Sequence, residues 1–166
     1  MQIFSGLPIS QGLAAGNIVY LGEHAAAARQ AGSPQQEQAR FSDAQRQAVD
    51  ALSALYERTK ADLGEQDAEI FSVHQLMAED EVFTDLIAAA IADGAEASEA
   101  VRQAGEQCAA MFSGMDDAYM RERAADVRDV AARICRILNG EAEHSITEPC
   151  LIAAEELTPS QTVQFP

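Results

Sequence analysis

The run 116–138, DDAYMRERAADVRDVAARICRIL, constrains this chain most, because its apolar positions step by three and four. Met120, Ala124, Val127, Ala131, Ile134 and Leu138 fall on one stripe of a helix, and Arg121, Glu122, Arg128, Asp129, Arg133 and Arg136 fall on the polar face. Asp129 and Arg133 stand i,i+4 in the favourable order, worth about 0.3 kcal/mol. Asp116 and Asp117 complement the helix dipole at its start, and Asn139 and Gly140 stop the helix. A long helix that buries one side must have other helices to bury it against.

The chain supplies them. Ser33 and Pro34 read as N-cap and first helical residue, followed by an inward stripe of Phe41, Ala44, Ala48, Leu52, Leu55 and Thr59, with Gly64 as the stop. Asp67 opens a second helix to about Ala92, ended by Gly94. Within it Ile70, Val73 and Met77 form one stripe and Phe83, Ile87 and Ala90 a displaced second one. The acids Glu79, Asp80 and Glu81 lie at the change of stripe, where a kink or a second functional face is expected. A third helix covers about 97–113 with Val101, Ala104, Cys108 and Phe112 inward. The spacing predicts four helices in two antiparallel hairpins. Outside them, residues 2–21 read as two short strands around a Pro8 to Gly12 break, 150–154 as a strand, and Thr158, Pro159, Ser160 and Gln161 as a capped helix start.

Composition agrees with a helical chain. Of 166 residues 48% are hydrophobic but only 5% aromatic, with no Trp, and alanine supplies much of the apolar share. A formal charge of −16 excludes nucleic acid and anionic lipid as natural partners and suits a basic protein; it also serves plain solubility. Cys108, Cys135 and Cys150 are odd in number and widely spaced, which reads as free buried thiols in a reducing cytosol. With no basic-then-apolar leader and no apolar run near the ~20 residues of a membrane span, the expected location is cytoplasmic.

His24 and His144 read as solvated residues. His74 with Glu79, Asp80 and Glu81 makes a poor metal site, since six residues at about 100° each put His74 and Asp80 on different faces. Of the two Glu-x-x-His pairs a di-iron bundle needs, only 141–144 fits. His74 is expected at a helix surface or an interface, with no metal bound. A Met, Leu and Phe patch rimmed by acids suits a partner with an apolar knob and a basic rim, although both stripes of the second helix could equally be core.

The run DDAYMRERAADVRD closely resembles a segment of the amino-terminal domain of Enzyme I, the phosphoenolpyruvate-protein phosphotransferase of the bacterial sugar phosphotransferase system. GLPISQGLAAG at 6–16, IFSVHQLMAEDEVF at 70–83 and LIAAEELTPSQT at 151–162 fall where that family has them. The resemblance implies a mainly α fold: a helical subdomain at 33–140 that binds the phosphocarrier HPr, inserted into an incomplete α/β phosphohistidine subdomain made of 1–22 and 149–166. It assigns Glu65, His74, Leu76, Met77, Asp80, Glu81, Phe83 and Arg123 to the HPr-facing surface. The family's Ser-Pro-Gly turn is Ser10, Gln11, Gly12 here, and Gln66, Val82 and Phe83 depart from its usual acid and leucine pattern.

The family's acceptor histidine lies in a Gly-Gly-x-Thr-Ser-His motif that this sequence does not contain, and its phosphoenolpyruvate-binding barrel follows later still. The chain is therefore expected to be a fragment with no catalytic residue and no cofactor of its own. Mg²⁺ and a homodimer through a C-terminal domain belong to the full enzyme. Two other readings remain open: an Enzyme I-like module of a dihydroxyacetone kinase phosphotransfer subunit, and a non-catalytic acidic helical adaptor.

Overall fold

The computed structural model describes residues 9–21, 29–141, 149–154 and 157–162. The first predicted strand, His24 and His144 lie outside the described residues. Those described form β1 (Ile18–Leu21), α1 (Pro34–Asp62), α2 (Glu65–Ala78), α3 (Glu81–Ala92), α4 (Ala97–Ser113), α5 (Ala118–Leu138), β2 (Leu151–Ala154) and the single turn α6 (Pro159–Thr162).

α1 begins with a capping box: Gln36 N donates to the Ser33 hydroxyl at 3.3 Å, while Ser33 N donates to the Gln36 side chain at 2.9 Å. Its buried side carries Phe41, Ala44, Ala48, Leu52, Leu55 and Thr59 as expected, plus Glu37. Gly64 separates α1 from α2 with φ 106°, a left-handed conformation that a side chain would strain.

The predicted second helix is two helices. Asp80 is extended (φ −60°, ψ 133°), and its carboxylate accepts from Val82 N at 2.9 Å and Phe83 N at 3.1 Å, so a new helix starts where the acids were read as a kink. The buried line of α2 is also rotated from the expected one. Ala68, Phe71, His74 and Ala78 face inward, and Ile70, Val73 and Met77 are half-buried on its flank.

The main core joins Phe41, Ala44 and Ala48 of α1, Phe83, Ile87 and Ile91 of α3, Val101 and Ala104 of α4, and Val127, Val130 and Ile134 of α5. Leu52, Leu55 and Phe71 form a smaller core between α1 and α2. Fully burying each of these large side chains contributes about 2–3 kcal/mol. Alanine and glycine let helices approach closely: a Cβ on Gly105 of α4 would stand 2.6 Å from the Ala131 Cβ of α5.

A buried ionic clasp ties three helix ends. The Glu37 carboxylate, 1% exposed, accepts from Gly32 N at 2.8 Å, Ala97 N at 3.1 Å and Arg40 Nη1 at 2.5 Å. Arg40 also donates to Glu96, the N-cap of α4, at 2.6 Å and to the Leu138 carbonyl that ends α5 at 3.1 Å. Its guanidinium bridges two carboxylates and meets a helix C-terminus, each a favourable pairing.

β1 and β2 pair in parallel, from Ile18 with Leu151 to Leu21 with Ala154. The five long helices therefore occupy the connection between two neighbouring parallel strands. α6 follows Thr158, whose N–H donates to the Gln161 side-chain oxygen at 3.0 Å. The three cysteines are free thiols; Cys108 is buried, and burial pushes Cys135 up to about 11. Among the described residues no helix is long and apolar enough to cross a membrane.

Candidate functional site on the helical surface

The eight residues assigned to a partner surface separate into exposed and buried sets. Leu76 is 68% exposed on α2, and Glu65, Asp80 and Glu81 are exposed at helix starts. Glu65 accepts from Lys60 Nζ at 2.9 Å, and that hydrogen bond holds its carboxyl below the ordinary range. Met77 is half-buried against the main core. The region around Asp80 thus presents two apolar side chains, Leu76 and Val82, and three acids, Glu79, Asp80 and Glu81.

Two assignments need correction. Phe83 is 3% exposed, because the Asp80 cap directs the first turn of α3 inward, where it joins Ile87 and Ile91. It is a core residue rather than an exposed one. His74 is 0% exposed rather than a surface histidine, because it meets acidic partners from another helix.

Those partners are on α5. His74 Nε2 lies 3.5 Å from Asp126 Oδ1 and Nδ1 lies 3.8 Å from Asp129 Oδ2, ion-pair separations longer than a hydrogen bond. The Phe71 ring meets the imidazole edge-on, with centroids 6.2 Å apart. Asp129 and Arg133, read as polar-face residues, are each 3% exposed. Their burial is non-local: α5 packs on α2 along the side where His74 stands.

Asp126 connects this interior to the surface. Its Oδ2 accepts from Arg123 Nη1 at 3.0 Å. Burial pushes the Asp126 carboxyl up, but His74 and Arg123 outweigh it and hold it below the ordinary range. Arg123 Nη2 donates to the Tyr119 hydroxyl, and its guanidinium sits 4.7 Å from the Tyr119 ring centroid, a cation–π distance. The hydroxyl bond raises the Arg123 pKa further above its ordinary value, despite partial burial. The structure therefore brings His74 and Arg123 together through Asp126, while the acids at 65, 80 and 81 stand on other helix ends.

Sequence reasoning missed Tyr119, Asp126 and Asp129. The signal was there in part: 119, 123 and 126 are spaced i,i+4 and i,i+3 on one helix face. No three His, Cys, Asp or Glu side chains converge to hold an ion among the described residues.

The chain is similar in sequence and fold to known proteins. Phosphoenolpyruvate-protein phosphotransferase of Bacillus subtilis (strain 168) is 35% identical over 133 residues, which are 78% of this chain and 23% of that protein. The protein of that name from Haloferax volcanii is 39% identical over 130 residues, 76% of this chain and 23% of its own length. The chain thus spans under a quarter of the curated relatives it matches. An NMR solution structure of Enzyme I superposes with a TM-score of 0.69 at 30% identity, covering 80% of this chain and 55% of that one. The N-terminal domain of Enzyme 1 - Nitrogen has the same fold, with a TM-score of 0.68 at 24% identity over 83% of this chain and 57% of that one. A family model described as PEP-utilising enzyme, N-terminal matches residues 5–123. Since that match covers well over half of its length, the chain belongs to the family of PEP-utilising enzyme N-terminal domains.

Proposed function

We propose that this chain is the HPr-docking part of a phosphoenolpyruvate-protein phosphotransferase. The helices at 33–140 would form the docking unit, and 1–22 with 149–166 would belong to the phosphohistidine unit. The full enzyme would take phosphate from phosphoenolpyruvate with Mg²⁺ onto a histidine and pass it to HPr for sugar uptake, acting as a cytoplasmic homodimer. The carrying observation is the family match over 5–123 together with 30% identity to an Enzyme I structure of the same fold. The exposed set Glu65, Leu76, Asp80 and Glu81, with half-buried Arg123, supports it, since acids and an apolar anchor suit a basic carrier with an apolar knob. Half-buried Met77 would contribute at the edge of that contact. His74 and Phe83, being buried, would act through the residues they support. Alone, the chain would be inert with phosphoenolpyruvate, because its sequence carries no Gly-Gly-x-Thr-Ser-His motif.

A carrier that must leave for its next partner binds transiently, so the affinity should be micromolar, about −7 to −8 kcal/mol. Titrating ¹⁵N-labelled chain with its cognate HPr should shift the amides of 76–82 and those around Arg123. If a folded chain shows no shift in either region with HPr at millimolar concentration, the docking reading fails and the acidic-adaptor reading replaces it.

A further inference from the structure

A chain of polar groups runs from the surface of α5 into the core behind Arg123. Tyr119, 59% exposed, braces the guanidinium on one side, and Asp126 Oδ2 holds it at 3.0 Å on another. The second Asp126 oxygen faces the buried His74, and the far side of His74 faces the buried Asp129. The His74 ring nitrogens and both Asp129 oxygens lack a hydrogen-bond partner among the described residues. Burying such groups is costly, and an apolar residue at 74 would fill the core at lower cost. Orientation of the surface arginine gives the arrangement a use that stability does not.

We propose that Asp126 is a positioning residue for HPr binding: it fixes Arg123 in the orientation that meets the partner, with His74 holding Asp126 from behind. The proposal rests on the docking reading and names a residue in it. A free arginine side chain has many rotamers, and ordering it on binding costs affinity. Here two of its five N–H donors are already engaged among the described residues, on a side chain that is still 17% exposed. Asp126 also cancels the Arg123 charge locally. Arg123 therefore acts through directed hydrogen bonds, and its loss should speed dissociation more than it slows association.

The test is a double-mutant cycle on the full 166-residue chain, with cognate HPr binding followed by calorimetry and stopped flow. Arg123→Ala should weaken binding by about tenfold, or about 1.4 kcal/mol, mainly through faster dissociation. Asp126→Asn should weaken it by a similar factor in the parent chain but have almost no effect in the Arg123→Ala background. A merely structural or long-range electrostatic role for Asp126 would act equally in both backgrounds, and that result overturns the proposal while leaving docking intact. An Arg123→Ala chain that binds as the parent does overturns it too. Complete absence of HPr binding by the parent chain defeats the docking reading and this proposal together. Should Asp126→Asn not fold, ¹⁵N relaxation of the Arg123 guanidinium in the unsubstituted chain decides. It should be restricted before HPr is added, and a guanidinium that becomes ordered only with HPr overturns the proposal.

Discussion

Replacing Gly105 by alanine should destabilise the protein even though alanine is the better helix former. In an unconstrained helix interior the change gains about 1 kcal/mol. Here the added methyl would stand 2.6 Å from the Ala131 Cβ, an atom fixed to the α5 backbone. Carbon atoms in contact prefer about 3.5–4.0 Å, so α4 and α5 must part by about 1 Å. These two helices share the most extensive helix interface in the structure, so the shift disturbs many packed side chains at once. Overpacking of this kind costs about 1–3 kcal/mol, and a contact this short belongs at the upper end. The net loss should be about 2 kcal/mol, lowering Tm by about 4–8 °C in a chain of this size. Thermal unfolding followed by circular dichroism measures it directly. The Ala131→Gly background supplies the control, because removing that methyl removes the obstacle. There Gly105→Ala should stabilise by about 1 kcal/mol, the helix-propensity gain alone. If Gly105→Ala is as stable as the parent in the native background, the close approach of α4 and α5 is wrong.

Glu37→Gln should destabilise by about 3 kcal/mol, since the buried carboxylate holds Arg40 and two backbone N–H groups, and urea unfolding would show it. Burial pushes the Glu37 carboxyl up, but the Gly32 and Ala97 amides and Arg40 outweigh it and hold it below the ordinary range. The stabilisation is therefore complete above about pH 4.5 and lost as pH falls through the lowered folded value. Acid unfolding of the parent should accordingly be steeper there than that of Glu37→Gln. Asp80→Ala removes the α3 cap and should cost about 1 kcal/mol of stability, whereas Asp80→Lys should also slow HPr association and flatten its salt dependence. Phe83→Ala should cost about 3–5 kcal/mol of stability, while Leu76→Ala should leave stability almost unchanged and weaken HPr binding by about 1–2 kcal/mol; the reverse pattern in melting and titration experiments would invert their assignment to core and surface.

Much of the helical architecture was legible because its signals are local. The α1 stripe from Phe41 to Thr59 obeys the helical period without interruption, and Ser33, Pro34 and Gly64 mark its ends with the chemistry each position needs. Gly94, Gly114 and Gly140 delimit the later helices in the same way. Asp80 was visible within the acidic cluster, but whether an acid caps a new helix or bends an old one depends on whether the chain turns there. His74, Asp129 and Arg133 were misplaced for a different reason. Charged and polar residues read as exposed unless a partner is known, and the acids facing His74 stand more than fifty positions away on another helix. Burying His74 also shifted the inward line of α2 off Ile70, Val73 and Met77. Phe83 read as an anchor because the resemblance placed it on the partner face. The exposure of Glu65, Leu76, Asp80 and Glu81 was legible in the sequence, whereas the contacts of Arg123 with Asp126 and Tyr119 had no distinguishing pattern of their own.

The clasp around Arg40 has a kinetic consequence. β1 and β2 pair in parallel across about 130 residues of intervening chain, a separation that makes their meeting slow in an unfolded polypeptide. Once the helices have packed, Glu37 and Arg40 hold the chain at Gly32 beside the end of α5 at Leu138. The loop to be closed between the strands then shortens to about 25 residues, which lowers the closure entropy by about 1.5 kcal/mol. The strand pair should thus form after the bundle in refolding. In native-state hydrogen exchange the amides of Ile18–Leu21 and Leu151–Ala154 should open before those of α1, α4 and α5. Breaking the clasp with Arg40→Leu should delay strand pairing without changing which strands pair.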